Sequence, residues 1–505
     1  MPDPVLTAAT VAQAAIDRGV PGLVVGMVQD GTSTFVEAYG TVDRDAVVRV
    51  GSITKLFTAI AVAQLVESER IGWDDPVVRH LRSYGFKRAR GAPDATIRQV
   101  LTHTGGFGEF RRLREWRWKT IPFAVDDGSP IPPMREFYAD GLRGSTAPGR
   151  GYAYANHAFA SLGQMVEDVT GEPYAEYVRS HILRPLGMTS SDIDFTDEIR
   201  ARLAQGYHVT KDGPVEVPLQ HITIAPAGAL YSTVDDMLRF AAWVSTTGAS
   251  CAGVLAPSTL AHMFERHFEP DLRLPGQGLG FARDDVGGEA VVAHDGGFPG
   301  FVASFAAVPG RRFGVFACST AIDLAPRAVV DRSVEALVGV AEPSVRAKTN
   351  LPLPAGYRRF AGVYAPTLGL SADARWWMEY GGEFRVSADD EGLLLSSPRG
   401  PHAEGTRLLP GDAADPNFWV GLGKRLGSEQ MIRIRFDGRG FDGGIPQTAR
   451  MRKRSAMRSV RFYKPAAKAA AVLGPAGALS ATAALLRRRV RARSGRTARR
   501  SLRRR

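Results

Sequence analysis

The sequence predicts an α/β protein whose antiparallel sheet is interrupted by a long helical insertion, followed by a small antiparallel β domain and a basic tail. Three observations lead there. Strand-forming sequence lies near the N-terminus and again after residue 290, and the span between is dominated by helix and loop signals. Beyond a Pro-rich stretch at 341–356, short alternating segments separated by Gly and Asp recur to about residue 464. A chain of 505 residues is also too long for one core. The expected division is 1–345, with the α/β part at about 1–72 and 275–340 and the insertion at 73–274. A β domain at 356–464 and an Ala/Arg-rich tail at 465–505 follow.

Taken in order, residues 5–18 read as an amphipathic helix. Gly22–Val28 and Ser33–Tyr39 flank Asp30-Gly31, a hairpin signal, and predict two antiparallel strands. Residues 52–68 form a helix that is apolar nearly all round and therefore buried. Thr96–His103 and Asn156–Thr170 are helical, and Ser232-Thr-Val-Asp235 opens another helix with capping-box chemistry. Residues 109–140 are rich in Arg, Trp and Pro without clear periodicity. Ala290–Ala293, Phe301–Val308 and Phe313–Cys318 are strand-like, and 325–340 is helical. The final β domain reads as a barrel or a sandwich.

The formal charge of +12 sits in the tail: residues 487–505 hold 11 arginines and no acid, leaving 12 − 11 = +1 for the rest. A basic patch on the folded body is not implied, so nucleic acid is not expected as the main partner. Cys251 and Cys318 are too few for a disulfide framework or a multi-cysteine metal site. Met-Pro-Asp-Pro-Val-Leu has neither the basic nor the apolar region of a secretory signal, which makes cytoplasmic the expected compartment. Ala469–Leu486 is an uncharged, Ala-rich run of 18 residues, at the lower edge for spanning a bilayer. Weak membrane association through residues 469–505 and a plain Ala/Arg-rich tail both remain open. Nothing in the sequence sets the oligomeric state.

Three short constellations could carry chemistry. Ser52 and Lys55 stand a helical turn apart at the head of the apolar helix, where a buried lysine can lose its proton and activate a serine. With 9 lysines and 28 serines in the chain, about 0.5 such matches arise by chance, so the pair alone is equally a capping serine and a surface lysine. Tyr154-x-Asn156 follows a Pro-Gly turn and precedes a helix; with three asparagines in all, about 0.1 matches are expected at random. A tyrosine there can act as a general base, and the bland alternative is a packed ring beside a capping amide. His294-Asp-Gly296-Gly297 lies between strand-like segments, where glycines admit close backbone approach and a free N–H can complete an oxyanion hole. Alone, it is an ordinary turn histidine.

In this order the three motifs resemble the serine β-lactamase/penicillin-binding-protein superfamily, especially its class C β-lactamase, DD-peptidase and esterase branch. Ile71–Pro76, Val100–Phe107 and Ala227–Asp236 resemble further segments of that family, and the likeness covers about residues 8–340. Tyr357–Tyr364 is similar to the opening of the lipocalin-like appendage found in the branch. The resemblance implies the β-lactamase/transpeptidase-like fold and a serine hydrolase without metal or cofactor. It makes Ser52 the acylated nucleophile, Lys55 its activator and Tyr154 the proton-shuttling base. Asn156 would orient Lys55 or the substrate, His294 and Gly296 would line the flanking strand, and the N–H groups of Ser52 and Gly297 would form the oxyanion hole. Histidine stands at 294 where β-lactamases more often have lysine, which reduces the fixed positive charge available to a β-lactam carboxylate. The expected substrate is therefore a small ester or amide, handled by an esterase-like or D-amino-acid amidase/peptidase-like enzyme. A β-lactamase or D-alanyl-D-alanine carboxypeptidase is the alternative within the class. A catalytically weak scaffold tethered by its basic tail is the alternative outside it. The basic aromatic stretch Phe110–Trp118 is either a pocket edge favouring acidic acyl groups or a plain surface loop.

Overall fold

The computed structural model describes residues 2–111, 123–251, 253–340, 350–368, 374–425, 428–445 and 447–454. Helix α1 (Pro4–Asp17) is capped by Asp3, whose carboxylate accepts from Val5 N, and strands β1 (Gly22–Gln29) and β2 (Thr32–Gly40) follow. Their hairpin turns through Asp30 and Gly31, both at positive φ, as the Asp-Gly pair predicts. Ser52 sits in a short 3₁₀ turn, Gly51–Ile53, that leads into α2 (Thr54–Glu67). Helix α3 (Ile97–Leu101) starts with a two-sided capping box between Thr96 and Gln99, and α4 (Asn156–Thr170) ends at Gly171 in the left-handed region. The N-cap of α5 (Val234–Ser245) is Thr233, accepting from Asp236 N, rather than the Ser232 expected from sequence.

Five strands complete the sheet: β3 (Gly276–Gln277), β4 (Ala282–Val286), β5 (Glu289–Phe298), β6 (Phe301–Val308) and β7 (Phe313–Ser319), with α6 (Ala325–Val338) behind them. The order is β3-β4-β5-β6-β7-β1-β2, and every neighbouring pair is antiparallel. The N-terminal hairpin thus joins the late strands directly. Alternation along the central strands divides them between two cores. Val24 and Val28 face α5, whereas Leu23, Val25 and Met27 face α1 and α6. The motif His294–Gly297, expected between strands, lies inside β5, because its glycines leave the strand without side-chain obstruction on the face toward Ser52.

Eight antiparallel strands from Gly362–Pro366 to Gln447–Arg454 close into a barrel, which decides between barrel and sandwich. Its interior is filled by aromatic and aliphatic side chains including Tyr364, Phe384, Trp419 and Phe441. The barrel meets the first domain where Leu274 packs against Phe418 and Val420. Beside that contact Arg273 pairs with Asp412 at 2.5 Å and Asp415 at 2.6 Å, and Arg433 pairs with Asp284. Among the described residues no helix is long and apolar enough to cross a membrane. Ala469–Leu486, the basic tail, linker residues 341–349 and residues 112–118 of the basic aromatic stretch lie outside them.

Candidate active site

Helix α2 is buried along nearly its whole length, and Lys55 in its first turn is 0% exposed. An ammonium so placed has lost its water and needs fixed acceptors. Lys55 Nζ donates to the Ala227 carbonyl at 2.6 Å and lies 3.0 Å from Ser52 Oγ. It also stands 4.9 Å from the centre of the Tyr154 ring and 5.9 Å from that of Phe159. The Ala227 carbonyl belongs to a 3₁₀ turn, Ala225–Ala227, held by Thr58 Oγ1 donating to Pro226 O at 2.7 Å. Thr58 in turn is 2.7 Å from the Tyr174 hydroxyl.

Tyr154 is 8% exposed and rests on His103, ring centroids 4.3 Å apart. His103 adopts φ +56°, unusual for a residue with a side chain, and this lets it grip the Tyr154 loop from both backbone and ring. Its carbonyl accepts from Ala153 N at 2.8 Å and its Nδ1 from Ala155 N at 3.3 Å. The His294 ring lies 6.5 Å from that of Tyr154. His294 Nδ1 donates to the Asp295 carbonyl at 2.6 Å, so in the neutral ring Nε2 is the acceptor.

The strand β5 backbone presses directly on the turn that carries Ser52. A Cβ on Gly296 would sit 1.9 Å from Val50 O and 2.9 Å from Ser52 N, and one on Gly51 would sit 2.6 Å from Gly297 N. Strand β4 pairs with β5 only as far as Ala293, so from His294 onward that edge of β5 carries no strand among the described residues. Asn156 Nδ2 donates to Glu109 Oε1 at 2.9 Å. Ser52, Lys55, Tyr154, His294, Gly296 and Gly297 are thus brought to one place, with Asn156 at its margin facing Glu109.

Sequence reasoning missed four contributors. His103, Glu109 and the Ala227 carbonyl act through long-range contacts, although His103 and Ala227 lie within segments that carried the family likeness. The fourth, Arg49, is 5% exposed; it stacks on Phe298 at 4.0 Å and donates to the Tyr231 hydroxyl at 3.1 Å. Burial pulls its guanidinium below the ordinary value, opposed by Tyr231. From Tyr231 the contacts run on to His221 at 3.5 Å and Asp127 at 2.8 Å, whose carboxyl Arg200 and His221 hold well below the usual range. Away from the site, His262, Glu265 and His267 cluster within metal-ligand reach. Both ring nitrogens of His267 are engaged, by Arg98 and the His262 carbonyl.

Residues 7–339 match the family model described as Beta-lactamase. The chain belongs to the β-lactamase family. Homologues in this family are serine hydrolases. Esterase EstB of Burkholderia gladioli is 31% identical over 312 residues, 53% of this chain and 76% of that one. Unguisins hydrolase ungD' of Aspergillus campestris is 27% identical over 333 residues, 61% of this chain; the match spans only 60% of the relative's length. An octameric penicillin-binding protein homologue from Pyrococcus abyssi has the same fold, with a TM-score of 0.59 at 20% identity over 88% of this chain and 99% of that one.

Proposed function

We propose that this β-lactamase-family chain hydrolyses a small ester or amide through an acyl-enzyme on Ser52. The observation that carries the reading is the fully buried Lys55 with Nζ 3.0 Å from Ser52 Oγ. In its neutral form that amine takes the hydroxyl proton as Oγ attacks the carbonyl carbon. Tyr154, on the other side of Lys55, relays the proton to the leaving oxygen or nitrogen. The tetrahedral oxygen is held by the Ser52 and Gly297 N–H groups, and His294 and Gly296 line the strand along which the acyl group lies. Water then reverses the sequence and releases the acid. With histidine at 294 in place of a fixed cation, esters and amides rank above β-lactams and D-alanyl-D-alanine peptides as substrates. The similarity to an esterase supports an ester as substrate.

A fluorophosphonate probe should label Ser52 and no other serine, and labelling should vanish in Ser52→Ala. Folded wild type that takes up no label would overturn the hydrolase reading in favour of an inert scaffold. Tyr154→Phe should lower turnover of p-nitrophenyl acetate by about 10²–10⁴. Unchanged turnover would remove Tyr154 from the mechanism.

A further inference from the structure

The two N–H groups assigned to the tetrahedral oxygen come from segments far apart in sequence, so their spacing depends on how β5 rests on the turn that carries Ser52. Strand β4 leaves β5 after Ala293, and Phe298, paired with Phe301, is the last residue of β5 that β6 holds. Gly296 and Gly51 meet the opposing segment there through bare backbone, which brings the two close but supplies little attraction of its own. The side chains that bracket this contact are Arg49, three residues before Ser52, and Phe298, the residue after Gly297. His294, Gly296 and Phe298 alternate on the buried face of β5, and the Phe298 ring lies over the Arg49 guanidinium at 4.0 Å. Tyr231, which pairs with Arg49 along the backbone, places its ring 5.1 Å from the same guanidinium, and its hydroxyl accepts from Arg49 Nη2 at 3.1 Å. Among the described residues that hydroxyl is the one hydrogen-bond partner of the Arg49 side chain, and no carboxylate pairs with it. Arg49 and Phe298 are both almost fully buried, so a cation without a counter-ion is enclosed against two rings. Burying an unpaired charge is costly, and attraction to ring faces, stronger where water is excluded, is what offsets it here.

We propose that Arg49 is a positioning residue: stacked on Phe298, its guanidinium clasps the end of β5 to the turn that carries Ser52, and so holds the Gly297 N–H at its working distance from the Ser52 N–H. This rests on the acyl-enzyme reading above and adds to it the residue pair that sets the geometry of the oxyanion hole. Without the clasp the end of β5 is free to lift from the turn, and a donor displaced from the place where charge develops loses most of its effect on the barrier.

The test compares p-nitrophenyl acetate with its thiono analogue, in which sulfur replaces the carbonyl oxygen and accepts hydrogen bonds poorly. Rates are normalised to alkaline hydrolysis and expressed per Ser52 that a fluorophosphonate labels to completion, so loss of folded protein does not count. Wild type should favour the oxygen ester. Arg49→Met, which keeps bulk and removes the charge, should lower kcat/KM on the oxygen ester by about 10–100-fold and narrow its preference over the thionoester by about tenfold. Phe298→Leu should do the same, and joining the two changes should add little, because either alone undoes the stack. Should Arg49→Met fail to label, Phe298→Leu carries the same expectation. A preference unmoved in a labelled variant, or losses that multiply in the double variant, would overturn the clasp and leave the Ser52 reading standing. Wild type that neither labels nor turns over either ester would overturn both.

Discussion

Gly296 and Gly297 are adjacent and chemically identical, yet the structure gives them opposite tolerance. A methyl on Gly296 would fall 1.9 Å from Val50 O, whereas one on Gly297 meets nothing closer than Phe301 O at 4.0 Å. Gly296→Ala must therefore push β5 off the turn that carries Ser52, and is expected to lower kcat by about 10² or more, the loss typical of one oxyanion donor, with a reduced Tm. Gly297→Ala should fold as wild type; the paired kinetics and melts decide. His157, next to Asn156, supplies a pH prediction. It is fully buried, donates or accepts at 2.7 Å with the Tyr138 hydroxyl, and its Nε2 has no hydrogen-bond partner among the described residues. Burial, with Arg111 nearby, pushes its imidazole down to about 3. The unfolded chain binds the extra proton near 6.5, so this contribution to stability is complete above about 6.5 and is lost as pH falls towards 3. The slope reaches at most about 1.4 kcal/mol per pH unit. Urea melts from pH 4 to 7 should show a flatter acid limb in His157→Gln.

At the scale of elements, the helix that carries Lys55 is fixed by a turn from far along the chain. Helix α4 approaches that turn so closely that a Cβ on Gly163 would lie 2.2 Å from Pro226 Cγ. Gly→Ala inside a helix usually stabilises by about 0.5–1 kcal/mol. Here the sign should reverse: Gly163→Ala displaces Ala225–Ala227, withdraws the carbonyl from Lys55, and lowers both Tm and kcat. A variant with raised Tm and unchanged kcat would show that the turn does not position Lys55. The predicted apolar helix and the N-terminal hairpin were legible locally, since each depends on neighbours within a few residues. The placement of His294–Gly297 within a strand was not, because strand continuity there depends on β6 across the sheet.

Across the whole molecule, the barrel and the first domain are joined by an apolar contact ringed with ion pairs. Arg273 also covers the Phe418 ring at 4.3 Å, so it packs as well as pairs. On the far side, Leu368, just past the first barrel strand, lies 3.4 Å from where a Cβ on Gly151 would stand, in the loop leading to Tyr154. Arg273→Ala leaves Asp271, Asp412 and Asp415 facing one another, with Arg435 to balance Asp271 and Asp415 among the described residues. Calorimetry should then show the barrel melting ahead of the first domain. A single transition at the wild-type temperature would show that Leu274 and its apolar partners suffice.

The sequence by itself determined the interrupted α/β plan, the strands at both ends of the first domain, and the residue types at Ser52, Lys55, Tyr154 and His294. These are written in periodicity, spacing and rarity, which short-range physics makes visible. Only the tertiary structure decided that Lys55 Nζ meets the Ala227 carbonyl, that Gly296 touches the backbone of the turn carrying Ser52, and that Asn156 turns its nitrogen to Glu109. Each of these joins atoms tens to hundreds of residues apart. Such contacts are set by how the layers pack, and no local pattern encodes them.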